Sequence, residues 1–287
     1  MRVAVTGAGG RLGRALLDAA SHRHEAVALP WRRPEYDLDG TDPTPLLERD
    51  RPDVVIHAAA WTDVDGCARE PELAYRRNAL AARTLADACV ARGTRLVVVS
   101  TNEVFDGRRA DGRGYAELDP TGPLNPYGAS KLAGEEAAGQ AFDGRPGLWI
   151  VRTAWLYGAP GNDFPNKIIA AADRRTLEEA LPVVADEVGT PTSTRDLAEG
   201  ILDLIATTTG GVYHLVNGGA ISRLDWARAV LERCRPGRQT RPISQADIVR
   251  DSTPPAWAVL DGTRASVAGV RMRAWRAALD DYLVELA

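Results

Sequence analysis

The sequence predicts an α/β protein, a Rossmann-like doubly wound parallel sheet followed by a smaller mixed α/β C-terminal unit. Three observations carry that prediction. Short apolar runs alternate with amphipathic stretches through the first half of the chain, a glycine-rich turn joins the first run to the first helix, and the alternation becomes irregular beyond residue 155. With 287 residues, 45% hydrophobic and 26% charged, the chain is long enough to bury a substantial core in one elaborated domain or two.

Taken in order, residues 2–6, 26–29, 53–60, 95–100 and 148–152 read as strands, each a short β-branched or aliphatic run. Between them, 11–20, 74–92 and 130–141 space their apolar residues by three and four, as helices with one buried face do. Further on, a helix is expected around 164–175, a short strand at 181–184, a helix around 195–206 and a strand at 211–216. No internal repeat, low-complexity tract or long linker interrupts the series.

Composition narrows the function. A net charge of -4 gives no surplus of positive charge for a nucleic-acid backbone, so no nucleic-acid partner is expected. No apolar run approaches the ~20 residues of a membrane span, and the N-terminus turns to glycine too early for a signal peptide, which predicts a cytoplasmic protein with no membrane partner. Cys67, Cys89 and Cys234 are widely spaced and odd in number, the pattern of reduced thiols rather than a disulfide framework or zinc site. Only two of the 35 basic residues, Lys131 and Lys167, are lysines, a bias suggesting a GC-rich genome and marking both as positions where arginine does not serve.

The first strand runs into Thr6-Gly7-Ala8-Gly9-Gly10-Arg11-Leu12-Gly13 and then into a helix. In that context glycines permit a tight turn, close backbone approach to a pyrophosphate and tight helix–strand packing, with the helix N-terminus facing the phosphates. Gly7, Gly10, Arg11, Leu12 and Gly13 are therefore assigned to a dinucleotide site, together with Ala58, Ala59 and Ala60 at the end of the third strand. After the second strand, where a carboxylate would select NAD, stand Arg32 and Arg33, whose guanidinium groups suit a ribose 2′-phosphate. The expected cofactor is NADPH, with NADH possible. Asp37 and Leu38 pair an acid with an apolar residue in the manner that flanks an adenine ring, although Asp37 equally suits a capping role.

Catalytic residues follow the same topology. Thr101 closes the fourth strand, at the carboxyl edge where open α/β sheets bind ligands. Tyr127 and Lys131 are four apart at the head of a helix and so share a face. A lysine charge beside the phenol is expected to favour its phenolate and bring its proton exchange toward neutral pH. Lys131 can also bond a nicotinamide ribose. His57 and His214 fall in buried strands and read as satisfied core residues.

Thr101, Tyr127 and Lys131 beside a dinucleotide loop resemble the extended short-chain dehydrogenase/reductases. The stretches at 52–79, 100–107, 115–135, 151–158 and 183–198, with the ending "AWAVLDGTRA…AWRAALDDYL", are more specific and resemble the dTDP-4-dehydrorhamnose reductase family over nearly the whole chain. That resemblance implies reduction of the C4 ketone of a dTDP-linked 4-keto-6-deoxyhexose, with hydride from the nicotinamide and a proton from Tyr127. The role implied for Asn78 is support of the cofactor end from its helix, and Trp155 is implied to lie against the sugar. The implied partition gives 1–157 and 189–217 to the dinucleotide domain and 158–188 and 218–287 to the sugar-nucleotide domain, in a monomer or homodimer that needs no metal.

The chain departs from that family at 102–103, where Asn102 and Glu103 replace its usual Asp-Tyr. Both are expected to touch substrate, and the change leaves open ordinary rhamnose supply or a specialised deoxysugar route. The run is also similar to nucleotide-sugar 4,6-dehydratases, so a dehydratase or epimerase with bound NAD and Glu103 as base is one alternative, and a non-catalytic dinucleotide-binding regulator is another. The Asn102 amide is not an acid and cannot protonate a leaving hydroxyl, which argues against the dehydratase. Lys167 is expected to meet the substrate diphosphate, with a solvated helix position as the equal alternative.

Overall fold

The computed structural model describes residues 1–24 and 26–286. Its centre is a six-stranded sheet of β1 (Arg2–Thr6), β2 (Val27–Trp31), β3 (Val54–His57), β4 (Arg95–Thr101), β5 (Leu148–Thr153) and, from far along the chain, β10 (Gly211–His214). The spatial order is β2-β1-β3-β4-β5-β10 and every pairing is parallel. Order therefore reverses between β1 and β3, which opens a crevice beyond their carboxyl ends.

Both faces of this sheet are covered, which explains why its strands read as continuous apolar runs. Val3 and Val5 of β1 point to one face, where α1 (Arg11–Ser21) and α8 (Thr194–Thr207) bring Leu12, Leu16, Leu197 and Ile201. Ala4, Val55, Leu96 and Val98 point to the other, against Leu46 and Leu47 of α2 (Thr44–Asp50), Leu85 of α5 (Ala81–Ala91) and Phe142 of α6 (Pro126–Phe142).

The smaller unit is mixed. β7 (Leu181–Val184) pairs with β12 (Thr240–Ile243), β8 (Val188–Gly189) lies between β11 (Ile221–Ser222) and β13 (Trp257–Ala258), and β6 (Leu156–Tyr157) pairs with β9 (Thr192–Ser193). Around buried Trp226 pack α7 (Phe164–Asp173), α9 (Arg223–Cys234) and α11 (Trp275–Leu286). Among the described residues no helix is long and apolar enough to cross a membrane.

Four sequence expectations are altered. The strand expected over 53–60 leaves the sheet at His57, because the Thr6 hydroxyl accepts the Ala59 N–H at 3.1 Å and turns the chain out of the ladder. The helix expected over 74–92 is divided into α4 (Pro71–Tyr75), a π-helical turn at Arg76–Leu80 and α5, following the short α3 (Val64–Arg69). The helix expected over 130–141 begins at Pro126, which puts Tyr127 at its head as expected, because the Asn125 side chain caps it by accepting the Gly128 N–H at 2.8 Å. Finally, Ala265 of α10 (Thr263–Val267) and Val270, assigned from sequence to the smaller unit, pack into the core of the large sheet.

Candidate active site

Two neighbouring cavities occupy the crevice. One, of about 580 Å³, is lined by Gly7, Gly10, Arg32, Arg33, Asp37, Leu38 and Ala58–Ala60. The other, of about 420 Å³, is lined by Gly7, Gly10, Arg11, Leu12, Gly13, Thr101, Asn102, Glu103, Tyr127, Lys131 and Trp155. Gly7, Gly10, Ala58 and Ala60 border both, so the glycine turn joins the two.

The turn requires its glycines for distinct reasons. Gly7 has φ of 64°, and a Cβ there would stand 2.8 Å from the Ala59 backbone; at Gly13 a Cβ would fall 2.2 Å from the Gly7 carbonyl oxygen. Behind the turn, Thr6 Oγ1 and His57 Nδ1 are 2.8 Å apart, and burial pushes the His57 imidazole down to about 3, so it stays neutral.

Arg33 lies 3.4 Å from Asp37, whereas the exposed guanidinium of Arg32 has no hydrogen bond or ion pair among the described residues. Arg11 Nε, in the second cavity, is likewise buried without a partner. These unengaged cations and the glycine cradle fit a dinucleotide phosphate chain. The sequence reading missed Arg14, Tyr36, Trp61 and Arg77, which also line the first cavity.

Asn78 borders neither cavity. It sits behind the Ala58–Trp61 loop, accepting the Trp61 N–H at 2.8 Å and donating to the Trp61 carbonyl and Ser130 Oγ, each at 3.0 Å. Its place is thus a positioning one, tying that loop to the helix of Tyr127 and Lys131. That helix comes close because Gly128 carries no Cβ, which would otherwise fall 2.1 Å from the Glu103 carbonyl oxygen.

The structure brings Thr101, Tyr127 and Lys131 together. Thr101 ends β4 beside Thr153 of β5, and its hydroxyl accepts the Glu103 N–H at 3.2 Å and meets the Tyr127 phenol. Lys131 Nζ donates to the Val99 carbonyl at 2.7 Å, and burial lowers it to about 8 against the opposing pull of Glu135. The expected lowering of Tyr127 is corrected here: burial and then the Glu103 charge raise it, outweighing the Thr101 hydrogen bond. Tyr127 is therefore a neutral phenol at physiological pH, a proton donor in waiting.

Of the residues expected to meet the substrate, Asn102 is buried with Oδ1 3.4 Å from the Thr101 hydroxyl. Glu103 accepts from Asn125 Nδ2 at 2.6 Å, and burial raises its carboxyl despite that bond. Trp155 takes the left-handed φ of 46°, rare for a bulky side chain and a mark of local strain. Its indole is seated against Gly189, where a Cβ would fall 2.5 Å from the ring, and stacks on Trp226 with centroids 5.7 Å apart. One face is covered by the Arg223 guanidinium, which sequence reasoning missed. Lys167 is not brought here; it is exposed on α7, whose buried face holds Ile168 and Ala172 instead. Nor is His214 satisfied as expected: it is fully buried without a well-formed hydrogen bond at either ring nitrogen, and burial lowers it to about 3.

Comparison with known proteins agrees with this geometry. The family described as the RmlD substrate binding domain matches residues 1–287. A dTDP-4-dehydrorhamnose reductase of Mycobacterium tuberculosis is 41% identical over 287 residues, covering 97% of this chain and 91% of its own. A dTDP-4-keto-6-deoxy-D-glucose reductase of Streptomyces niveus is 38% identical, covering 96% and 94%. The crystal structure of a Bacillus anthracis dTDP-4-dehydrorhamnose reductase in complex with NADP superposes with a TM-score of 0.89 at 33% identity, over 99% of this chain and 98% of that one.

Proposed function

The chain belongs to the family described as the RmlD substrate binding domain, and on that premise we infer an NADPH-dependent oxidoreductase that reduces the 4-keto group of a dTDP-linked 4-keto-6-deoxyhexose. The observation that carries this reading is the convergence of Thr101, Tyr127 and Lys131 in a cavity that also holds the glycine turn.

We assign the roles as follows. Arg11 and the glycine turn hold the pyrophosphate, and Arg32, with Arg33 beside it, holds the 2′-phosphate. NADPH bound there supplies hydride to C4. Thr101 donates a hydrogen bond to the ketone oxygen, and Tyr127 gives it a proton as charge develops. The phenolate left on Tyr127 is stabilised by the Lys131 ammonium on the same helix face, whose bond to the Val99 carbonyl uses one of its three protons. Lys131 also serves to hold the nicotinamide ribose. Asn102, Glu103 and Trp155 border the sugar. The two-part division of the chain, cytoplasmic residence and a monomeric or homodimeric state belong to the same reading; separate buried clusters around the large sheet and around Trp226 support the division, with Ala265 and Val270 crossing to the first, and the free thiols of Cys67, Cys89 and Cys234 suit a reducing compartment.

The test is nicotinamide absorbance with NADPH and dTDP-4-keto-6-deoxyglucose, with and without a 3,5-epimerase. Stoichiometric oxidation is expected, and dependence on the epimerase assigns a rhamnose-type substrate. Transformation of the sugar without consumption of NADPH would overturn the reading.

A further inference from the structure

Arg223 is the first residue of α9, yet its side chain borders the cavity of Tyr127. Its Cζ stands 3.6 Å from the centroid of the Trp155 ring, and its Nε lies 3.3 Å from Glu187 Oε2. The two terminal amino groups have no hydrogen bond among the described residues. Stacking on an indole holds a guanidinium in place while leaving its edge donors free for a ligand.

Glu103 faces the same space. One carboxylate oxygen accepts from Asn125, and the other has no hydrogen bond among the described residues. Thr101 and Thr153 are register partners, and Glu103 and Trp155 each follow two residues later. The Glu103 carboxylate and the guanidinium on Trp155 thus flank the space just beyond the ketone-binding hydroxyl. The two side chains interact electrostatically with each other.

On the reductase reading above, we propose that Arg223 and Glu103 act as one clamp selecting 4-ketosugars with a free hydroxyl at the carbon beside the ketone, the guanidinium donating to that hydroxyl and the carboxylate accepting from it. A hydroxyl is both donor and acceptor, so it uses both halves of the pair. The charges around the clamp disfavour the substrate diphosphate as its ligand. Two carboxylates, Glu103 and Glu187, act on Arg223, and Arg250, a cation that also acts on it, is held 3.2 Å from Asp65. Among the described residues these pairings leave the clamp itself with no net positive charge for a dianion.

The experiment compares dTDP-4-keto-6-deoxyglucose with its 3-deoxy analogue, in the wild type and in Arg223→Met, Arg223→Lys and Glu103→Gln. It also measures binding of the two corresponding 4-hydroxy products and of dTDP alone by calorimetry. The wild type is expected to favour the hydroxylated sugar by roughly 100-fold in kcat/KM, because the analogue leaves buried polar groups unpaired. Arg223→Met loses most of that preference through KM, with turnover of the 3-deoxy sugar and dTDP affinity little changed, and Arg223→Lys regains part. Should Arg223→Met fail to fold, Glu103→Gln is expected to lose the same preference and carries the test. Equal use of both sugars by the wild type, an equal loss on both in the variants, or weakened dTDP binding in Arg223→Met overturns the clamp. Preserved discrimination in product binding without NADPH oxidation would instead overturn the reductase reading and leave the clamp standing.

Discussion

The dinucleotide end and the sugar end of the crevice are assembled over different distances along the chain. At the dinucleotide end, one turn of seven residues and the loops after β2 and β3 supply nearly every lining group, and each is shaped by backbone conformation. At the sugar end, Glu103, Trp155, Glu187 and Arg223 come from four segments; the Arg223 N–H donates to the Glu187 carbonyl at 3.0 Å, and the other meetings are through side-chain stacking and charge. The first end is constrained at Gly7 and Gly13, where the neighbouring backbone leaves no room for a Cβ. The second can exchange one polar constellation for another without disturbing the sheet. A fold that keeps its hydride chemistry can therefore change sugars at its outer wall.

The largest expected effect lies where the two ends meet. Tyr127→Phe removes the only phenol that lines the second cavity among the described residues while keeping its shape, so turnover should fall by about 10³-fold. NADPH affinity, followed by fluorescence titration, should be unchanged. Retained turnover would divorce the proton from Tyr127 and break the account of both ends at once.

Next comes the rigidity of the dinucleotide end. Gly13→Ala places a methyl 2.2 Å from the Gly7 carbonyl oxygen, and overpacking of this kind destabilises by about 1–3 kcal/mol. A lower Tm and at least a tenfold weaker NADPH Kd are expected. Gly9→Ala, where a Cβ meets nothing within 4 Å, is the control.

The pH profile sharpens the contrast. Lys131 is lowered to about 8, so its charge is present below that pH and lost above it. Tyr127, being raised, stays protonated through the same range. In the free enzyme, kcat/KM should fall about tenfold per unit above pH 8. A profile flat to pH 10 would mean that the ammonium is not required.

Much of the dinucleotide end was legible in the sequence because its signals are local: three glycines at fixed spacing, two arginines after a strand, and Tyr127 and Lys131 on one helix face. The break of the helix expected over 74–92 was not legible, since a π-helical turn depends on Asn78 reaching Trp61 and Ser130, both remote in sequence. Arg223 was hidden among 33 arginines with no motif around it, and only the fold places it on Trp155. The raised Tyr127 was missed for a related reason. Spacing shows that a lysine is near, but not that burial and a carboxylate outweigh it.

Arg32 tests whether a local signal also carries a local function. Its guanidinium has no partner among the described residues, so Arg32→Ala removes no contact that holds the fold, whereas Arg33 is already drawn toward Asp37. A charged hydrogen bond to phosphate at an exposed site supports about a tenfold loss of NADPH affinity in Arg32→Ala, and less in Arg33→Ala. NADH affinity should not move. Equal losses for both dinucleotides would place Arg32 on the shared pyrophosphate.

The smallest effect belongs to the other lysine. Rarity in the sequence drew Lys167 toward the substrate, yet its side chain is exposed on α7, in the turn that Asp163 caps by accepting the Asn166 N–H at 3.0 Å. The Lys167 side chain makes no hydrogen bond or ion pair among the described residues, so Lys167→Ala should alter kcat/KM by less than about twofold and stability by less than about 0.5 kcal/mol. A raised KM for the sugar nucleotide in Lys167→Ala, with added salt raising the wild-type KM toward the same value, would show that α7 moves toward the crevice when substrate binds. The sugar end would then be built from five segments rather than four, and its capacity to change would extend to the anchoring of the nucleotide.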